Sequence, residues 1–158
     1  FLPINPYGPT GIGRLGLLKK WGPNHMVISI IMTHDNEKNI SQILVLKNSE
    51  DQYLPTDFID NENQFIPDSI KNELKDETNI ILNLYNTELL YSGYQNDSKN
   101  TDHAWIENKV YLFNLDTFKR NILLNIIKNN KNLVLIDIPD NINFTKIKNI
   151  EFLNYLFK

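Results

Sequence analysis

Ile66-Pro67-Asp68-Ser69-Ile70-Lys71-Asn72-Glu73-Leu74-Lys75-Asp76-Glu77 is the stretch on which the reading of this chain turns. Ile66, Ile70 and Leu74 recur every fourth residue, the spacing of one apolar stripe on a helix. Pro67 fits a first turn, where its missing N–H costs no hydrogen bond. Asp68 puts a negative charge at the positive end of the helix dipole. The pattern predicts a helix over 67–78. On that helix Glu73 and Glu77 project at the edge of the stripe or within it, and Asp76 flanks them. Carboxylates near a buried face repel one another and resist desolvation. A divalent cation reverses both costs, because Mg²⁺ takes carboxylate oxygens together with substrate phosphates. A plain solvated acidic face, with Lys71 and Lys75 as surface partners, is the competing reading.

Outward from this helix, strands are expected at Met26–Thr33, Ile43–Leu46, Leu89–Tyr94, Ala104–Phe113 and Leu133–Ile138, all short apolar runs. Residues 48–64 read as loop. A second helix is expected over 116–128, where Phe118, Ile122 and Ile126 share a face and Asp116 or Thr117 caps the start. Ile147 to Phe157 has the pattern of a closing amphipathic helix. Strands mixed with helices predict an α/β layer fold.

The 158 residues suit one domain, and 41% of them are hydrophobic, enough for a core. A net charge of -3 argues against a nucleic-acid backbone as partner. No apolar run is long enough to span a membrane. Cysteine is absent, which removes disulfides and thiolate metal sites and fits an intracellular compartment, cytoplasmic or mitochondrial. Residues 1–25 contain five of the six Gly and four of the seven Pro, the composition of an ordered arm ahead of a core at 26–158. The chain opens at Phe1 without a Met, as expected of a piece of a longer protein.

Two uncommon strings straddle the carboxylate helix. The first is Asn5-Pro6-Tyr7-Gly8-Pro9-Thr10-Gly11, continued by Leu17-Leu18-Lys19-Lys20-Trp21-Gly22-Pro23-Asn24-His25. The second runs from Gly93-Tyr94 to Asn100-Thr101-Asp102-His103-Ala104-Trp105-Ile106-Glu107. Together they resemble the signatures of the mitochondrial ADP-ribose pyrophosphatase family and of the homologous tail domain of ADP-ribose-gated melastatin-type TRP channels. The resemblance covers roughly residues 3–113. It implies a Nudix fold, a mixed β-sheet sandwiched between α-helices. It also implies Mg²⁺- or Mn²⁺-dependent hydrolysis of ADP-ribose to AMP and ribose 5-phosphate. The alternative it implies is a sensor domain that binds ADP-ribose without cleaving it, as in a channel tail.

The family's Nudix box, Gly-x5-Glu-x7-Arg-Glu-apolar-x-Glu-Glu, is only partly kept. Thr56-Asp57 stands where the Gly pair belongs, Asn63 or Gln64 where the first Glu belongs, and Asn72 where the Arg belongs. Losing both members of a supporting Glu–Arg pair is less damaging than losing one. The three carboxylates survive as Glu73, Asp76 and Glu77. The resemblance makes all three metal ligands, with Glu73 and Glu77 catalytic and Glu107 a weaker fourth candidate. It places His25, Asp97, Lys99, Thr101, Asp102 and Trp105 against the ADP-ribose. Each has a plainer reading: His25 as a cap or core residue, Trp105 as core filling, Thr101 and Asp102 as turn caps. His34 and His103 lack companions at ligand spacing and read as surface residues. Where relatives carry an acidic loop before the last strand, this chain has Asn129-Asn130-Lys131. The expectation is a single groove, bordered by His25 and Trp105, into which Glu73 and Glu77 point.

Overall fold

The computed structural model describes residues 1–61 and 63–138 and the backbone of 147–148. Among them a mixed sheet of eight strands carries three helices. The strands are β1 (Gly22–Asp35), β2 (Ile40–Asn48), β3 (Asp51–Tyr53), β4 (Thr56–Phe58), β5 (Thr87–Gln95), β6 (Ala104–Asn114), β7 (Leu133–Asp137) and β8 (Ile147–Lys148). The helices are α1 (Asp68–Leu74), α2 (Thr78–Ile81) and α3 (Thr117–Lys128). Strand order along the main path is β5-β6-β1-β2-β3-β8, with β4 on β1 and β7 on β2.

β1 is the axis of the sheet. One edge runs parallel to β6 from Gly22↔Ala104 to Met32↔Asn114. The other edge is divided. Met26–Ile28 pairs with β4, and Met32–Asp35 pairs with β2. The strand is apolar on both faces because both faces are covered. Ile31 joins a cluster with Phe113, Ile70, Leu74, Ile81 and Leu123, under the helices. Ile28 and Ile30 join Ile43, Val45, Val110 and Leu112 on the opposite face. Full burial of side chains such as Ile70 and Leu74 contributes about 1.5–3 kcal/mol each, which fixes α1 to the sheet.

The expected strands and the 116–128 helix are present, and Asp116 caps α3 by accepting from the Lys119 amide. Three expectations change. Residues 48–64 contain two short strands, β3 and β4, whose three-residue lengths leave too few side chains to show an alternation. Ile147–Lys148 pairs with β3 as a strand, and the rest of the expected closing helix lies outside the described residues.

The third change concerns the carboxylate helix. It is interrupted: α1 ends at Leu74, Lys75–Glu77 forms a 3-10 turn, and α2 follows. Glu73 therefore does not share one helix with Asp76 and Glu77. The break sits at Lys75, with φ 52° and ψ -124°, a conformation that side chains resist. Such strain costs about 1–3 kcal/mol, against about 0.5–1 kcal/mol for the extra chain entropy of Gly. Lys75→Gly is therefore expected to raise stability by about 1 kcal/mol, read as a higher urea midpoint. A lower midpoint would count against a strained break.

Candidate functional site

The arm and the second signature string fold onto each other. The buried Asn5 donates its side-chain amide to the Tyr94 hydroxyl (3.1 Å) and the Thr101 carbonyl (3.0 Å). Its backbone N–H donates to the Asp102 carbonyl. Tyr7 stacks on Tyr94 at 4.1 Å between ring centres. The hydroxyl of the fully buried Thr101 donates to the Arg14 carbonyl and accepts from the amides of His103 and Ala104. A Cβ at Gly16 would lie 2.9 Å from the Thr101 methyl, and φ there is +58°, so the arm needs glycine at this point. His103 accepts no surface role: its Nδ1 lies 2.8 Å from the Pro3 carbonyl and its ring meets Trp21 edge-on. His34 is exposed, as expected.

Asp102 accepts from both the backbone and the hydroxyl of Thr10. The Thr10 backbone bond, chiefly, holds its carboxyl below the ordinary carboxylate range. A lowered folded-state pKa gives stability that is present above the unfolded value and lost as pH falls through the folded one. Asp102→Asn is accordingly expected to lower the melting temperature at neutral pH. The gap to the parent chain should close as pH drops below about 4. A gap constant from pH 7 to pH 2.5, values chosen to bracket that range, would show that the charge of Asp102 contributes nothing.

Lys19 and Lys20, at the end of this arm, form one wall of an open cleft of about 420 Å³. It is lined by Leu17, Leu18, Lys19, Lys20, Asn24, His25, Phe58, Ile59 and Asp60. Asn24 holds the wall in place: its side chain accepts from the Lys20 amide and donates to the Lys20 carbonyl. The opposite wall is fixed by Ile59, whose amide donates to the His25 carbonyl. Phe58 is 47% exposed at the cleft and Lys20 pairs with Asp60 at 3.3 Å. Lys19, Lys20, His25 and the exposed Phe58 thus all border the cleft.

The other predicted site residues are placed elsewhere. His25 registers with Glu107, and Pro23 with Trp105, so His25, Glu107 and Trp105 share the helix-bearing face of the sheet. Trp105 is only 7% exposed, so it fills the core rather than offering a stacking face, and its Nε1 donates to Glu107 at 3.3 Å. Asp97 and Lys99 face each other across a turn at 3.9 Å. Thr101 and Asp102 hold the arm. Glu73 lines a separate polar cavity of about 560 Å³ with Leu46, Lys47, Asn48, Tyr53, Ser69, Asn72 and Asn132. The single groove expected from sequence is thus two cavities.

Asp57, which sequence comparison marks as a lost glycine, has a positive role. Its carboxylate accepts from the Ser69 amide at 2.8 Å and so satisfies the first turn of α1, which has no side-chain cap of its own. A Mg²⁺ or Mn²⁺ ion would need several oxygens in one place. Among the described residues no three His, Asp or Glu side chains come together. Both oxygens of Glu73 accept from asparagine amides, Asn130 at 2.7 Å and Asn132 at 3.3 Å. In this arrangement the donor set among the described residues does not fit a metal. No helix among the described residues is long and apolar enough to cross a membrane.

With this geometry described, known proteins supply the class. No protein-family model matches the chain. A mutT/nudix family protein from Listeria innocua superposes with a TM-score of 0.52 at 16% identity, over 85% of this chain and 91% of that one. The NrtR protein of Shewanella oneidensis gives a TM-score of 0.50 at 13% identity, over 72% and 52%. The fold is a Nudix fold. Sequence relatives narrow it further. The Caenorhabditis elegans protein named nudix hydrolase 6 is 29% identical over 120 residues, 70% of this chain and 46% of that protein. The mitochondrial ADP-ribose pyrophosphatase of Rattus norvegicus is 28% identical over 146 residues, 73% and 41%. Subfamily M member 2 of the transient receptor potential cation channels of Mus musculus is 31% identical over 120 residues, 66% and 8%. The chain is a Nudix-fold domain homologous to these ADP-ribose pyrophosphatase and melastatin-type channel proteins, and it spans less than half the length of each.

Proposed function

We propose that this chain is an ADP-ribose pyrophosphatase-like Nudix domain, with arm 1–25 and core 26–158 working as one unit on ADP-ribose. The observation that carries the reading is the cleft where Lys19 and Lys20 stand beside His25 and opposite Phe58. A diphosphate needs cationic donors, and lysine supplies them as compact charges. The exposed ring of Phe58 suits the adenine. Hydrolysis of the diphosphate to AMP and ribose 5-phosphate is the reaction that the homology supports. Asp76, Glu77 and Glu107 are the carboxylates left to serve it as general base. A second reading, ligand binding without cleavage as in a channel tail, is favoured by the capture of Glu73 between two asparagines. Differential affinity for two states would then be the whole output of the domain.

Calorimetry with ADP-ribose, with and without Mg²⁺, followed by an AMP assay of the same sample, separates the readings. Binding followed by AMP supports the hydrolase, and binding without AMP supports the sensor. No binding heat under either condition, with no AMP released, removes both.

A further inference from the structure

We propose that the loop between α3 and β7 has taken over Glu73, so that Asn130 and Asn132 hold its carboxylate in place of a divalent cation. The argument starts from which atoms of the loop are free to turn. The Asn130 side-chain oxygen accepts from the Asn132 amide at 2.9 Å, a local turn that asparagine forms readily. This fixes the side-chain NH₂ of Asn130 on the other side, where it donates to Glu73 at 2.7 Å. The same turn carries Asn132 to the second Glu73 oxygen at 3.3 Å. The carboxylate therefore meets N–H donors at both oxygens, from a loop 57 and 59 residues away in sequence.

Hydrogen bonds to an ionised acceptor are about twice as strong as neutral ones. A cation arriving at Glu73 finds one lone pair of each oxygen already taken by an asparagine amide and, among the described residues, no two further His, Asp or Glu side chains gathered beside it. The contact also has a structural result. α1, through Ser69, Asn72 and Glu73, and the loop ahead of β7, through Asn132, line one cavity, and the Glu73 bonds join the two. Glu73 thus works as a joint between α1 and the sheet edge. This inference rests on the carboxylate helix of the reading above and not on its ligand, so a failure to bind ADP-ribose leaves the following test intact.

The probe is MgCl₂ alone, added to the full chain, with melting temperature and calorimetric heat as readouts and EDTA as reference. Two results support the clamp: no Mg²⁺ shift in the parent chain, or a shift that Glu73→Gln leaves unchanged. Glu73→Gln keeps an oxygen acceptor for Asn130 and should hold the EDTA melting temperature near the parent value, whereas Glu73→Ala should lower it. A Mg²⁺-induced rise in the parent that disappears in Glu73→Gln overturns the proposal. Asn132→Asp supplies an independent reading, because it sets a second carboxylate against Glu73. It should melt lower than the parent in EDTA and recover on Mg²⁺ addition. A variant as stable as the parent in EDTA would contradict the contact.

Discussion

Changing Lys19 and Lys20 together to alanine should weaken ADP-ribose binding about a hundredfold while leaving the folded chain intact. A hydrogen bond from a charged group contributes about 1.5–3 kcal/mol when well formed. For exposed lysines the lower end applies, about a factor of ten each. The fold should tolerate the change for a specific reason. The contacts that build the wall use the backbone of Lys20, bound to Asn24, and not its ammonium. The Lys20–Asp60 ion pair is exposed on both sides, and such pairs contribute about 0–1 kcal/mol. The remaining affinity should also depend less on salt, since screening acts on the charges removed. The measurement is calorimetry at two ionic strengths. A loss smaller than about threefold would move the diphosphate out of this cleft, and the cavity beside Lys47 would become the place to look.

The second large effect is on stability. Thr101→Val keeps the shape of the side chain and removes the hydroxyl. Three bonds go with it: the donation to Arg14 and the acceptances from His103 and Ala104. Each buried group left without a partner costs about 1–3 kcal/mol. Relaxation of the exposed arm recovers part of this, so a loss of about 2–4 kcal/mol is expected. The parent and variant should be compared by urea unfolding, with ligand binding measured in parallel. Because Arg14 is only a few residues from Lys19, the variant should also bind ADP-ribose more weakly. A fully stable variant would mean that the arm is held by other contacts.

How far residues alone reveal this structure depends on the length scale of the interaction. β1, β2, β5, β6, β7 and α3 were legible because each carries enough apolar positions to set a period. The observed ends of β1, β2, β5 and β6 extend the expected ones by one to a few residues, as at β1, where Gly22–His25 is polar yet paired. β3 and β4 were not legible, since three residues set no period. The break at Lys75 was not legible either, because nothing in Leu74-Lys75-Asp76 punctuates a helix as Gly or Pro would. For the site, the two signature strings pointed to the correct class, but most of their residues bind each other. The side chains of Asn5 and Thr10 reach Tyr94, Thr101 and Asp102 across 89–96 residues of chain. Lys19, Lys20 and Phe58 were missed as a group because two basic residues and a distant aromatic ring give no local signal. Asp57 and Asn130 were read as losses against a pattern, and only coordinates show what they hold.

The long span of the arm's bonds also bears on the order of assembly. During synthesis Asn5 emerges early and waits for Asp102, so the lysine wall is among the late parts of the domain to settle. Residues 1–21, without helix or strand of their own and tied by a few side chains, are also the segment expected to detach first under thermal fluctuation. Any molecule gripping both Lys20 and Phe58 would then act as a stitch, slowing that release without touching the core.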